Sequence, residues 1–166
     1  NKEAFLRQDP QLHRQLTIAG GFEKIYEVGP SWRAEVSHTT KHLSEHRTVV
    51  AELAFIEDEY DIIKLEQEMV IYAMRKLAKD AKEELKLFGV TLDIPDKFPV
   101  LEFPKLYEVL DEIGEKYEYG KSSYGTEGER LLGEWVKKKH NTDFFFVNRF
   151  PFAEKPFYVM RVDEDP

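Results

Sequence analysis

Apolar side chains recur every three or four residues between Ile62 and Phe88, with polar residues at the positions between them. This spacing puts one apolar stripe along a helix and predicts a single long helix over the segment. Acidic residues precede the stripe and lysines lie near its end, an order that suits the helix dipole. Gly89 is typical of the residue that follows a helix, so we expect the helix to end there.

Shorter helical patterns occur in three other places. A helical run follows Pro10 and ends at Gly20, and another occupies 105–114. A third begins at Thr126, which we predict to be the N-cap residue because Glu129 follows three residues later, as in a capping box. We therefore expect three short helices besides the long one.

Alternating or aromatic-rich runs predict five strands, at 22–29, 31–36, 47–55, 143–150 and 155–160. We expect Pro30 to separate the first two strands, and 31–36 to pair antiparallel with 47–55. Clustered strands with helices inserted between them do not follow the strand–helix alternation of a parallel sheet. The pattern therefore predicts an α+β fold with an antiparallel sheet flanked by helices, formed by one domain over residues 1–166.

Composition narrows the classes of function. The chain is 42% hydrophobic and 34% charged, which is typical of a globular protein, and its net charge of −8 argues against a broad nucleic-acid-binding surface. It has no cysteine, which excludes disulfides, thiolate metal sites and cysteine nucleophiles. We see no apolar run long enough to span a membrane, so we expect no membrane partner and a cytoplasmic location.

Arg33 and Glu35 are the first candidates for a binding site. They are two positions apart on a predicted strand, so their side chains would share one face, together with Glu52 of the paired strand. An arginine fork suits a phosphate or carboxylate, and a glutamate accepts hydrogen bonds from an amino group. The alternative from spacing alone is a cross-strand salt bridge on a solvated sheet face.

Three histidines offer a competing hypothesis. His38, His42 and His46 are four residues apart, which on a helix would align three imidazoles on one side for a metal ion. The segment has only one apolar residue and two adjacent threonines, so it is a poor helix, and we expect no metal site here.

Several segments resemble a known family. "FLRQDPQLHRQL", "VGPSWRAEVSHTTKHLSE", "AELAFIEDEYD", "TEGERLLG" and "AEKPFYVM" occur in the order found in class II aminoacyl-tRNA synthetases of the archaeal and eukaryotic aspartyl type. The resemblance extends over 4–160. It implies a class II catalytic core that is incomplete at both ends, because the dimer-forming motif would precede residue 1 and the third motif would follow residue 166.

The resemblance also implies an activity. Enzymes of this family activate an amino acid with ATP and Mg²⁺ and transfer it to tRNA, usually as homodimers. For this chain we expect ATP and aspartate as the ligands, tRNA as a partner of the complete protein, and magnesium ligands and an anticodon-binding domain outside the 166 residues. The isolated 166 residues are expected to have little or no activity.

By the same resemblance, individual residues acquire roles. Arg33 would be the catalytic residue, holding the ATP α-phosphate and the amino-acid carboxylate. Glu35 would bind the adenine amino group, and His42 would approach the γ-phosphate. Gln11 and Glu52 would line the amino-acid pocket.

Four positions depart from the family pattern. Asp9 replaces a serine, and Arg14 replaces the lysine that pairs with the aspartate side chain. Because a guanidinium can fork onto a carboxylate, we expect Arg14 still to favour an acidic substrate over asparagine. His46 replaces an aromatic residue that stacks on adenine, and Val50 replaces an aspartate that would help to bind the substrate ammonium.

Two functions therefore stay open. The first is a part of an aspartyl-tRNA synthetase-like ligase, favoured by Arg33, Glu35, His42 and Gln11. The second is a diverged, non-catalytic paralogue that acts as a binding or regulatory module, favoured by the four departures. Amino-acid-dependent exchange of pyrophosphate into ATP would distinguish them.

Overall fold

The computed structural model describes residues 2–37 and 42–162. These form two compact units, Asn1–Ile62 and Ile63–Pro166. In chain order the elements are α1 Gln11–Ala19, β1 Lys24–Trp32, β2 Glu45–Leu53, α2 Glu59–Asp80, α3 Lys82–Leu87, β3 Val100–Glu102, α4 Leu106–Glu112, α5 Thr126–His140, β4 Phe146–Asn148 and a 3-10 turn Phe152–Glu154. The mixture of helices with a small antiparallel sheet confirms the predicted α+β class.

The sheet of the first unit is an antiparallel pair of strands, β1 and β2. The prediction that Pro30 separates two strands is wrong, because β1 runs from Lys24 through Pro30 to Trp32. The direction of the backbone N–H groups gives the reason. The N–H of Trp32 donates to the carbonyl of Arg7, away from β2, so the nitrogen of Pro30 two residues earlier also points away from β2. A proline at this position removes no hydrogen bond between the two strands.

Alternate residues of β1 and β2 form a common face, which we call the covered face. Its side chains are buried or half-buried: Ile25, Glu27, Gly29, Ser31, His46, Thr48, Val50 and Glu52. The opposite face is exposed and includes Tyr26 and Val49. Helix α1, which ends as predicted at Gly20, supplies the buried side chain of Arg14. Arg14 therefore brings a positive charge to the covered face.

The predicted long helix is divided. Helix α2 ends at Asp80, Ala81 leaves the helical conformation with φ −115° and ψ 40°, and α3 then runs to Leu87. Gly89 follows with a φ of +65°, as expected for a residue that ends a helix. Alanine has the highest helix propensity of all residues, so the sequence contains no local signal for this interruption.

The second unit packs its apolar core between α4 and α5. The fully buried side chains are Leu106, Leu110, Leu132 and Val136. Strands β3 and β4 pair parallel beside them, which the sequence does not predict, since Val100–Glu102 lies in a proline-rich connector. Of the aromatic strand predicted at 143–150, only the three residues of β4 are a strand. The strand predicted at 155–160 is wrong, because no strand is assigned to these described residues.

The N-terminus of α5 also differs from its prediction. Gly125 is the N-cap residue, and Thr126 is the first residue of the helix. The backbone N–H of Glu129 donates to the carbonyl of Gly125, which satisfies a donor that the predicted capping box would have satisfied with the threonine side chain. In the part of the chain that the structure describes, no helix is both long and apolar enough to cross a membrane.

Candidate active site

A buried arginine lies at the centre of the candidate site in the first unit. Arg14 projects from α1 and is only 6% exposed. Burying a guanidinium without partners is costly, so the fold must supply anionic groups around it. Three carboxylates surround it, one from the segment before α1 and one from each strand.

All three guanidinium nitrogens of Arg14 contact carboxylate oxygens. Arg14 Nη2 lies 2.7 Å from Oδ1 of Asp9, and Nε lies 2.6 Å from Oε1 of Glu52. Nη1 lies 3.3 Å from Oε2 of Glu27. Each of the three nitrogens therefore has a carboxylate oxygen within 4 Å, and both edges of the planar group are engaged.

We call Arg14, its three carboxylates and Arg7 the Arg14 cluster, and the pairing of these charges shifts the pKa values of Arg14 and Glu27. The hydrogen bond that Arg14 donates to Glu52 is the main cause that raises the pKa of Arg14 above its already high ordinary value, against the opposing effect of burial. Asp9 and Glu27 raise the pKa of Arg14 as well. The pKa of Glu27 is lowered, first by its hydrogen bond with Arg7 and then by Arg14, against an opposing effect of desolvation. The cluster thus holds two cations and three carboxylates.

Arg7 is the second cation. Its Nη1 donates a hydrogen bond to Glu27, and its Nε donates to the carbonyl of Pro30 at 2.9 Å. Its Nη2 is buried and has no hydrogen-bond partner among residues 2–37 and 42–162. A side chain at Gly29 would collide with this guanidinium, because a Cβ there would lie 3.2 Å from Cζ and closer still to Nη2. The glycine is what allows Arg7 to lie across the strand.

The predicted pair Arg33 and Glu35 falls just beyond the end of β1. The strand predicted over 31–36 ends at Trp32, although the N–H of Arg33 donates to the carbonyl of Ser44 at 2.9 Å and so extends the ladder by one hydrogen bond. Alternation along β1 would put the side chain of Arg33 on the same side as the covered face. The N–H of Glu35 donates to the carbonyl of Arg33 at 3.0 Å, closing a tight turn. The expectation that both side chains share a strand face is therefore wrong for Glu35.

The remaining predicted residues lie at different places around the antiparallel pair of β1 and β2, which we call the β1–β2 ribbon. Gln11 is the first residue of α1 and is exposed, and His46 is a half-buried member of the covered face, opposite Ser31 in the register. Glu52 is on the covered face, as expected, and bonds Arg14. His42 precedes β2 and is exposed.

The three-histidine hypothesis includes His38, which lies outside the described residues. Within 2–37 and 42–162, no group of three or more histidines and carboxylates is arranged to hold a metal ion.

Sequence reasoning missed Glu27, Arg7 and Gly29. A signal for Glu27 was available, because it lies an even number of residues before Arg33 in an alternating run and so shares its face. The approach of Arg7 to Gly29 had no local signal, since it joins segments more than 20 residues apart in the sequence.

The chain is similar to known proteins over its whole length. Residues 1–166 match the family described as tRNA synthetases class II (D, K and N). The chain is 37% identical over 166 residues to the aspartate–tRNA(Asp) ligase of Pyrococcus horikoshii and 38% identical over 169 residues to the aspartate–tRNA(Asp/Asn) ligase of Aeropyrum pernix. These alignments cover 99% and 100% of the chain, and the chain spans 38% of the length of each relative.

Solved structures agree. The aspartyl-tRNA synthetase of Entamoeba histolytica superposes with a TM-score of 0.85 at 33% identity, covering 98% of this chain and 34% of that one. The asparaginyl-tRNA synthetase of Pyrococcus horikoshii complexed with asparaginyl-adenylate superposes with a TM-score of 0.81 at 32% identity, covering 98% of this chain and 37% of that one. The chain therefore belongs to the class II tRNA synthetases of the D, K and N group.

Proposed function

We propose that this chain is part of an amino-acid-activating site, in which ATP and an amino acid of the aspartate and asparagine group react to form an aminoacyl-adenylate. In the complete protein the aminoacyl group then passes to tRNA. The observation that carries the proposal is the position of Arg33, in register with the covered face of the β1–β2 ribbon, on which the Arg14 cluster lies. Membership of the family supports the same reaction.

The reaction explains why an arginine is needed at the edge of the ribbon. The amino-acid carboxylate attacks the α-phosphorus of ATP, and negative charge develops on the phosphate oxygens as pyrophosphate leaves. A guanidinium positioned beside the α-phosphate stabilises this charge. Arg33 is the residue that we assign to this role, and it also neutralises the repulsion between the carboxylate and the phosphate.

The other ATP contacts are assigned to residues near the ribbon end. Glu35 accepts a hydrogen bond from the adenine amino group, His46 stacks on the base, and His42 approaches the γ-phosphate. Mg²⁺ accompanies the ATP, and its ligands come from outside the 166 residues. Polar side chains and a half-buried imidazole suit these contacts because they give orientation rather than bulk affinity.

The amino-acid pocket is assigned to the Arg14 cluster. Glu52 is the carboxylate for the substrate ammonium, which matters because Val50 offers no charge at the neighbouring position of the covered face. Gln11, the first residue of α1, is assigned to hold the substrate through its amide. We further propose that the complete protein is a cytoplasmic homodimer whose anticodon-binding domain lies outside this segment.

Titration calorimetry of MgATP into the full-length protein tests the nucleotide site. Arg33→Ala should weaken ATP binding by about 10- to 100-fold, the effect of removing one charged hydrogen-bonding partner. Arg47→Ala is the matched control, because Arg47 lies on the exposed face of the same ribbon and should leave the affinity unchanged. Equal affinities for the Arg33→Ala variant and the wild type would exclude Arg33 from the site.

A second candidate function is a non-catalytic paralogue that keeps the fold as a binding module. The contact of Asp9 with Arg14 favours it, because the cation expected to bind substrate already has an internal partner. Amino-acid-dependent exchange of pyrophosphate into ATP distinguishes the two. Exchange with aspartate or asparagine supports the ligase, whereas ATP binding without exchange for any of the twenty amino acids supports the paralogue.

A further inference from the structure

Asp9 occupies a particular position on Arg14. Its Oδ1 lies 2.7 Å from Nη2, whereas Glu52 and Glu27 contact Nε and Nη1. The carboxylates of Glu52 and Glu27 come from the strands and are mostly buried, with 23% and 29% of their side chains exposed, whereas 49% of the Asp9 side chain is exposed. Asp9 is therefore the member of the cluster that lies at its open side.

An incoming side-chain carboxylate would need this same part of the guanidinium. Because Nε already donates to Glu52 and Nη1 to Glu27, Nη2 is the nitrogen through which Arg14 would present itself to a ligand from the open side. A substrate carboxylate must then displace Asp9 or lie beside it. Two carboxylates held at the same nitrogen repel each other, and a displaced one loses a charged hydrogen bond.

The net charge of the cluster adds to this competition. Arg7 and Arg14 contribute two positive charges, and Asp9, Glu27 and Glu52 contribute three negative ones. A second anion on the substrate side chain enters a region that already carries an excess negative charge. A carboxamide side chain does not, because its oxygen can accept from Arg14 while its amino group donates to Asp9.

We propose that Asp9 is a specificity-determining residue that takes the position on Arg14 otherwise open to a substrate side-chain carboxylate, and so weakens binding of aspartate relative to asparagine. This inference rests on the proposed function, in which Arg14 faces the substrate side chain. It replaces the expectation from sequence that the Arg14 fork favours an acidic substrate, because that expectation treated the guanidinium as available.

The test uses the full-length protein and its Asp9→Ser variant, with L-aspartate and L-asparagine as ligands in titration calorimetry. Asp9→Ser should lower the Kd for aspartate about tenfold, which corresponds to roughly one charged hydrogen bond regained. It should leave the Kd for asparagine unchanged or raise it, because the carboxamide amino group loses the carboxylate acceptor of Asp9. Glu3→Ser is the matched control, because Glu3 is an exposed carboxylate in the same segment. It should leave both Kd values unchanged.

Every outcome decides the proposal. An unchanged aspartate Kd, an equal gain for both amino acids, an equal gain in Glu3→Ser, or aspartate binding too weak to measure in both the wild type and Asp9→Ser would overturn it. Pyrophosphate exchange on the same proteins separates the two proposals. If exchange occurs, the aspartate KM should fall in Asp9→Ser with kcat nearly constant, and if no amino acid supports exchange while the aspartate Kd still falls, the proposed activity fails and the role of Asp9 stands.

Discussion

Gly29→Ala should destabilise the first unit through a side chain more than 20 residues away. Gly29 is buried in β1, and a Cβ there would lie 3.2 Å from Cζ of Arg7 and closer to its Nη2. Arg7 has to move away from the strand to make room. Its side chain is flexible, so the steric cost of the movement is small, and the real cost is in the contacts that it leaves.

The magnitude follows from those contacts. Moving Arg7 breaks its 2.9 Å hydrogen bond to the carbonyl of Pro30, worth about 0.5–1.5 kcal/mol. It also breaks the ion pair with Glu27, for which we allow at most about 1 kcal/mol, because 36% of the Arg7 side chain is exposed to solvent. Replacing a glycine inside a strand returns about 0.5–1 kcal/mol of backbone entropy. The expected net loss is about 1 kcal/mol of unfolding free energy.

A double-mutant cycle measured by urea unfolding checks this reasoning. In an Arg7→Ala background the obstruction is gone, so the same Gly29→Ala substitution should be neutral or stabilise the protein by up to about 1 kcal/mol. The sign of its effect should thus reverse between the two backgrounds. If Gly29→Ala costs the same free energy with and without Arg7, the glycine is required for the backbone of β1 and the explanation by Arg7 is refuted.

Two further predictions concern pH and the core. The pKa of Glu27 is lowered, mainly by its hydrogen bond with Arg7, so its contribution to stability is complete well above the ordinary value of 4.5 and is lost as the pH falls below that value. Glu27→Gln should therefore flatten the decrease of unfolding free energy below pH 4.5, and an unchanged slope would argue against the pair with Arg7. Leu110→Ala, at a fully buried position, should lower the unfolding free energy measured in urea by about 2–5 kcal/mol. Leu87→Ala, at an 82% exposed position, should lower it far less, and similar losses for the two variants would contradict the core assignment.

Local patterns determined the elements whose signals are contained within a few residues. The helix that ends at Gly20, the left-handed conformation of Gly89 and the strand of alternating residues in β2 were all predictable, because backbone sterics and side-chain periodicity act locally. The wrong predictions concern features that no local pattern encodes. Pro30 was read as a break because a sequence does not show toward which side of a strand its nitrogen points, and Ala81 interrupts a helix that its own propensity favours.

The candidate site likewise combines features that the sequence predicts with contacts that only the tertiary structure shows. The sequence by itself predicted Arg33 and Glu52 on neighbouring strands, although Arg33 follows the last residue of β1. Through the family resemblance it predicted Arg14 and Gln11 in the amino-acid pocket. Only the tertiary structure showed that Asp9 lies on Arg14. Charges on separate segments meet according to the register of β1 with β2 and the packing of α1, and neither is encoded in the spacing of the residues themselves. The sequence thus determined which charged groups the protein has, and the fold decided which of them neutralise one another and which are left for a ligand.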